Sequence, residues 1–179
     1  FLDETLLELV DEHDSVSCMS EVQSHENLFI ISSLTKSFAI PGMRVGYGVG
    51  SVEIVDMMDR ARLSWNLGVI EQYVGSRLLR DHQDHVRRAA RMMASERGRI
   101  KKAVDATGLF SPLPDQSFFF ITRVSDPKMA AEDVVEHLLP RKVLVRDCST
   151  FGRPFDKFVR FSVKTPEKND LLISAMEET

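Results

Sequence analysis

A strand-length apolar run, Asn27-Leu-Phe-Ile-Ile-Ser32, opens directly onto the hydroxyl-rich loop Ser33-Leu-Thr-Lys-Ser-Phe-Ala-Ile-Pro-Gly42, and this junction limits the available folds more than any other feature. A run this continuously apolar is the kind buried on both faces of a parallel sheet. Pro41-Gly42 stops any long helix that the loop could start and demands a turn. Val45-Gly-Tyr-Gly-Val49 then supplies a second short strand. A core strand therefore delivers one lysine, Lys36, and several hydroxyls to a sheet edge.

Upstream, residues 4–14 mix Leu6, Leu7, Leu9 and Val10 with acids, which suits a short helix or an ordered acidic loop and requires nothing catalytic. Between Ser51 and Thr107 the apolar positions repeat at helical spacing, first Ile54, Met57, Met58 and Ala61, then Val69, Tyr73, Val74 and Leu78, then Val86, Ala90, Met93, Ile100 and Val104. This predicts three helices, the last one long and ended by Gly108. Beyond the connector Ser111-Pro-Leu-Pro114 the spacing predicts a strand over 117–124, a helix over 130–139 and strands over 143–146 and 158–163. A closing helix follows Thr165-Pro166, with Thr as N-cap and Pro at the first helical position. The expected fold class is α/β. Residues 1–107 form the rear part of a large domain, and residues 108–179 a small α+β domain whose strands do not join the sheet of residues 27–33.

Several function classes drop out. With 23 Lys+Arg against 27 Asp+Glu, a net charge of −4 and a pI near 5.8, the chain does not bind nucleic acid through bulk charge. The basic helical run Arg87, Arg88, Arg91, Arg97, Arg99, Lys101 and Lys102 reads as a solvated face opposite Val86, Ala90, Met93 and Ile100. No apolar run approaches the ~20 residues of a membrane span, and the start at Phe1-Leu-Asp-Glu4 lacks the basic and apolar regions of a secretory signal. It reads like a piece cut from something longer. Cys18 and Cys148 make neither a disulfide framework nor a zinc site and fit plain thiols in a reducing cytoplasm. The histidines at 13, 25, 82, 85 and 137 lack partners at useful spacing, so no metal is expected. Gly46-x-Gly48-x-Gly50 misses dinucleotide spacing. Ser33-x-x-Lys36, Ser125-Asp-Pro127 and Lys164-Thr-Pro166 follow the order of the β-lactamase motif set, but both later motifs end on the wrong residue and Pro41-Gly42 forbids the long helix that fold needs.

The chemistry concentrates on Lys36. A lysine at a sheet edge can be partly desolvated, which depresses its pKa and makes its amine a nucleophile. Ser33 and Thr35 hydroxyls, the Arg44 guanidinium and the backbone N–H groups of the turn could together hold a phosphate. The string Ser33-Leu-Thr-Lys-Ser-Phe-Ala-Ile-Pro-Gly-Met-Arg-Val-Gly-Tyr47 resembles the lysine loop of fold type I aminotransferases, pyridoxal-phosphate enzymes. It is most similar to the branch holding histidinol-phosphate aminotransferase and the threonine-phosphate decarboxylase of the cobalamin pathway. Leu2-Asp-Glu4, Ser64-Trp-Asn66 with Glu71-Gln72, Val143-Leu-Val-Arg146-Asp-Cys148 and the segment from Phe158 to Glu167 resemble further family segments in family order.

The resemblance implies Lys36 as the covalent anchor of the cofactor and Asp3 as the partner of its pyridinium nitrogen. It makes Ser33, Thr35 and Arg44 contacts of the cofactor phosphate, Arg160 the holder of the substrate carboxylate and Arg146 the holder of a second anionic group. Leu6 stands where the family's aminotransferases carry a tyrosine, which points to the decarboxylase branch. The family's N-terminal half has no counterpart here, so the chain by itself is expected to bind cofactor weakly and turn nothing over. The implied protein is a cytoplasmic homodimer that decarboxylates L-threonine O-3-phosphate. The alternatives are a histidinol-phosphate-type aminotransferase and, from another class, a non-catalytic binding module. The partner is a small phosphorylated amino acid or amino alcohol, with no nucleic acid and no membrane.

Overall fold

The computed structural model describes residues 1–177, which separate into two compact units, one over Phe1–Ala90 and one from Arg91 onward. The first begins with strand β1 (Leu2–Asp3), a single turn at Leu7–Leu9 and the short helix α1 (His13–Val16). After a further turn at Met19–Gln23, strand β2 (Phe29–Ser33) runs into the one-turn helix α2 (Leu34–Ser37), and past another turn at Pro41–Met43 comes β3 (Gly46–Gly50). The sheet order is β1-β2-β3: β1 lies parallel to β2 with Asp3 beside Ile31, and β3 lies antiparallel with Gly46 opposite Ser33. The apolar run of β2 was expected to be buried on both faces of a parallel sheet. Instead only one neighbour is parallel, and burial alternates: Ile30 and Ser32 are buried while Phe29, Ile31 and Ser33 are half-buried. Pairing with β3 demands glycine, because a Cβ at Gly46 would stand 2.7 Å from the Ser32 carbonyl and one at Gly48 would enter the Phe29 ring.

Helices α3 (Val52–Ala61) and α4 (Val69–Asp81) follow, with Ser51 capping α3 by accepting the Ile54 N–H at 3.4 Å. The helical period is as the spacing predicts, but the apolar stripe is not core within this unit. No residue of α3 is buried, and Met57, Val69 and Tyr73 are exposed. Periodicity reports which residues share a face, and the covering of that face is a separate fact.

Helix α5 (Gln83–Ala106) ends at Gly108, whose φ of +68° only glycine adopts without strain. The sequence texture changes there, whereas the packing divides inside α5, because Ile100 and Val104 join the core of the second unit. That unit is an antiparallel sheet of β4 (Phe110–Pro112), β5 (Phe119–Val124), β6 (Arg146–Asp147) and β7 (Phe158–Ser162) in the order β4-β5-β7-β6. Helices α6 (Ala131–Leu138) and α7 (Pro166–Glu177) complete it. Its core stacks Phe120 on Phe161 at 5.4 Å, with Phe110 edge-on to Phe161 at 5.8 Å. The connector at Ser111–Pro114 contributes a strand, since Pro112 sits on an edge strand where a missing N–H is tolerated. The strand expected over 143–146 shortens to Arg146–Asp147: Lys142 turns left-handed and the Val143 N–H donates to the Leu138 carbonyl at 3.2 Å, which closes α6 instead of a ladder.

Candidate active site

The parallel pair β1 and β2 brings two of the positions expected from the sequence to one edge of the first unit's sheet. Asp3 is the last residue of β1, and Ser33, the last of β2, caps the turn that carries Lys36. Ser33 Oγ accepts the Thr35 N–H at 3.2 Å and faces the Val45 carbonyl only at 3.5 Å, so its hydroxyl proton is lightly engaged. Within α2, Leu34 and Ser37 are buried, which turns Lys36 outward and leaves it exposed. This differs from the partial desolvation expected of that lysine: a one-turn helix directs one side inward, and the lysine is on the other. Asp3 is exposed and accepts the Thr5 N–H at 2.9 Å, a bond that holds its carboxyl below the usual carboxylate value. Arg44 takes a left-handed backbone with φ of 51°, is exposed, and donates to the Pro41 carbonyl at 3.3 Å. Thr35 is half-buried and its carbonyl accepts the Ile40 N–H at 3.1 Å.

Sequence reasoning passed over the acidic segment after Asp3, which required nothing catalytic. Glu4 is buried and its carboxylate accepts Ser17 Oγ and the Cys18 N–H, both at 2.8 Å. Glu8 accepts three hydroxyls: Ser32 at 3.1 Å, Tyr47 at 2.8 Å and Ser37. Those partners lie 24 to 39 residues away along the chain, so no local spacing could have revealed them. Burial pushes the Tyr47 phenol up to about 12, a Ser32 hydrogen bond opposes this, and the Glu8 charge reinforces it. The folded state thus keeps a proton that the unfolded chain loses near 10.0, so stability is whole below that pH and falls as pH rises toward about 12. Urea unfolding on either side of this window is expected to show that loss in the native chain and not in Tyr47→Phe.

In the second unit Arg146 and Arg160 are directly opposite on β6 and β7. Arg146 is exposed, donates to Thr150 at 3.1 Å and lies over the Phe151 ring at 5.7 Å. Arg160 is half-buried against the Phe119 ring at 4.9 Å, and its buried Nε has no hydrogen-bond partner among the described residues. Both line a cleft of about 660 Å³ together with Lys142, Lys164 and Lys168. Like charges directly opposite in a sheet repel, and neither arginine has a carboxylate partner among the described residues. The arrangement suits an anion. Cys148, buried beside this pair, is a free cysteine whose thiol burial pushes up, against the lowering effect of Arg160.

A histidinol-phosphate aminotransferase of Rippkaea orientalis is 32% identical over 99% of this chain and 48% of its own length. A protein of Caldanaerobacter subterraneus provisionally named a threonine-phosphate decarboxylase is 25% identical over 98% of this chain and 47% of its own. The crystal structure of histidinol-phosphate aminotransferase from Clostridium acetobutylicum superposes with a TM-score of 0.89 at 26% identity, over 99% of this chain and 53% of that one. The chain thus spans about half the length of the relatives it matches. Residues 1–176 match the family model for aminotransferase class I and II, and the chain belongs to that family of fold type I pyridoxal-phosphate enzymes.

Proposed function

We propose that this protein uses pyridoxal phosphate to decarboxylate L-threonine O-3-phosphate in synthesis of the cobalamin side chain. The observation that carries this reading is the arginine pair, two guanidiniums opposite each other in one cleft without carboxylate partners among the described residues. Such a pair calls for a ligand with two anionic groups, and a phosphorylated amino acid offers a carboxylate and a phosphate. Arg160, half-buried and with an unengaged Nε, takes the carboxylate as a planar fork, and Arg146 takes the phosphate. Leu6 offers no phenol where the family's aminotransferases place one, which favours the decarboxylase branch.

The first unit's residues fit the cofactor. Lys36 presents an exposed amine with no hydrogen-bond or ion-pair partner among the described residues, Asp3 an anionic carboxylate on the neighbouring strand end, Ser33 and Thr35 two hydroxyls at the turn of α2, and Arg44 a cation at the end of the turn at Pro41–Met43. Pyridoxal phosphate, when bound, supplies an electron sink for the bond broken at the substrate Cα. Lys36 anchors the cofactor through Nζ and can carry a proton to or from Cα. Asp3 keeps a proton on the ring nitrogen, while Ser33, Thr35 and Arg44 hold the phosphate. Arg160 orients the carboxylate, and that orientation decides whether carbon dioxide or a proton leaves.

A second reading, transamination of histidinol phosphate, has the support of the Rippkaea relative. The full-length protein, given each substrate in turn, is expected to release carbon dioxide from threonine phosphate and to transfer no amino group from histidinol phosphate. Amino transfer without decarboxylation would overturn the first reading in favour of the second.

A further inference from the structure

We infer that Glu8 is a positioning residue that fixes Lys36 by clamping both ends of its turn and the adjoining strand. The inference rests on the proposed role of Lys36 and goes beyond it. Ser32 and Ser37 bracket residues 33–36, and both donate their hydroxyls to the one Glu8 carboxylate, at Oε1 and Oε2 respectively. Tyr47 of β3 donates to Oε1 as well at 2.8 Å. The two serines are each only 4% exposed, so without Glu8 the Ser37 hydroxyl would be buried and unsatisfied, and Ser32 would be left with Tyr47 alone. A four-residue helix such as α2 cannot hold itself together, because the first turn of a helix is its costly part, and it needs a tertiary tie. Glu8 also follows Asp3 by only five positions. The segment that leads on from Asp3, the proposed carboxylate partner of the cofactor, therefore also carries the clamp on the lysine, which couples the two.

The test uses the 179-residue chain. It is incubated with pyridoxal phosphate and reduced with borohydride, and labelling of Lys36 is compared by peptide mapping with that of the exposed Lys102 and Lys128. Reduction traps even weakly held cofactor. Amide hydrogen exchange over residues 34–38, with no cofactor present, gives a second readout. The native chain is expected to label Lys36 preferentially. Glu8→Ala and Ser37→Ala should each cut that preference and speed exchange over 34–38, by about ten-fold for the first and less for the second. Glu8→Gln, which keeps an acceptor, should retain most of both. Ser17→Ala, which touches Glu4 instead, should change neither. Preferential labelling that survives in Glu8→Ala and Ser37→Ala overturns the positioning role alone. No preference in the native chain overturns the reading of Lys36 and this inference with it. If Glu8→Ala loses its circular dichroism, Ser37→Ala decides.

Discussion

Lys36→Ala in the full-length protein is expected to lower kcat by about 10²–10⁴-fold, the range a positioned acid–base group contributes, while leaving stability within ~0.5 kcal/mol. The second half of this expectation gives the first its force. Among the described residues the Lys36 ammonium makes no hydrogen bond or ion pair, and the side chain is exposed on a turn whose inward positions are Leu34 and Ser37. Nothing in the fold depends on it. A large loss of turnover without a shift in melting temperature therefore separates chemistry from structure. Lys36→Arg keeps the charge at the same place and should be as inactive as the alanine variant, because a guanidinium remains protonated and neither anchors the cofactor nor moves a proton. A Lys36→Ala enzyme that keeps more than about a tenth of native kcat would place the essential amine elsewhere.

The parts of this site that were legible in the sequence are those set by local rules. Lys36 stood out because a strand-length apolar run stopped at a serine and Pro41-Gly42 left room for one turn only, and the structure has that strand, turn and return strand. The helices at Val52–Ala61, Val69–Asp81 and Gln83–Ala106 were legible because a period of 3.6 is a property of consecutive residues. What the sequence hid depends on residues far apart in the chain. The exposure of Lys36 follows from which side of a four-residue helix is buried, and the exposure of Met57 and Tyr73 follows from what packs on α3 and α4. Glu8 looked like one acid among several until folding placed Ser32, Ser37 and Tyr47 around it. The opposition of Arg146 and Arg160 is likewise a matter of register between β6 and β7, separated by a loop of turns in which no periodic signal survives. The resemblance to a family supplied the roles of both arginines, while the physical reason to pair them came from the sheet.

Arg146→Ala in the full-length protein is expected to lower kcat/KM for a phosphorylated substrate by roughly ten- to a hundred-fold, since one charge-assisted contact is worth ~1.5–3 kcal/mol. For the same substrate without its phosphate the change should be small. Arg160→Lys should impair both substrates, because it retains a charge but loses the planar fork that grips a carboxylate and the stacking on Phe119. Stability supplies the control. Truncating Arg146 removes a cross-strand repulsion worth ~0.2–1 kcal/mol and gives up a hydrogen bond to Thr150 of about the same worth, so the melting temperature should barely move. If Arg146→Ala lowered kcat/KM equally for both substrates, or unfolded the protein, the guanidinium would be serving the fold. The case for a phosphorylated substrate would then rest on the relatives alone. A loss confined to the phosphorylated substrate would instead assign Arg146 to the phosphate and leave the carboxylate to Arg160, the division of labour that the exposed position of one and the half-buried position of the other support.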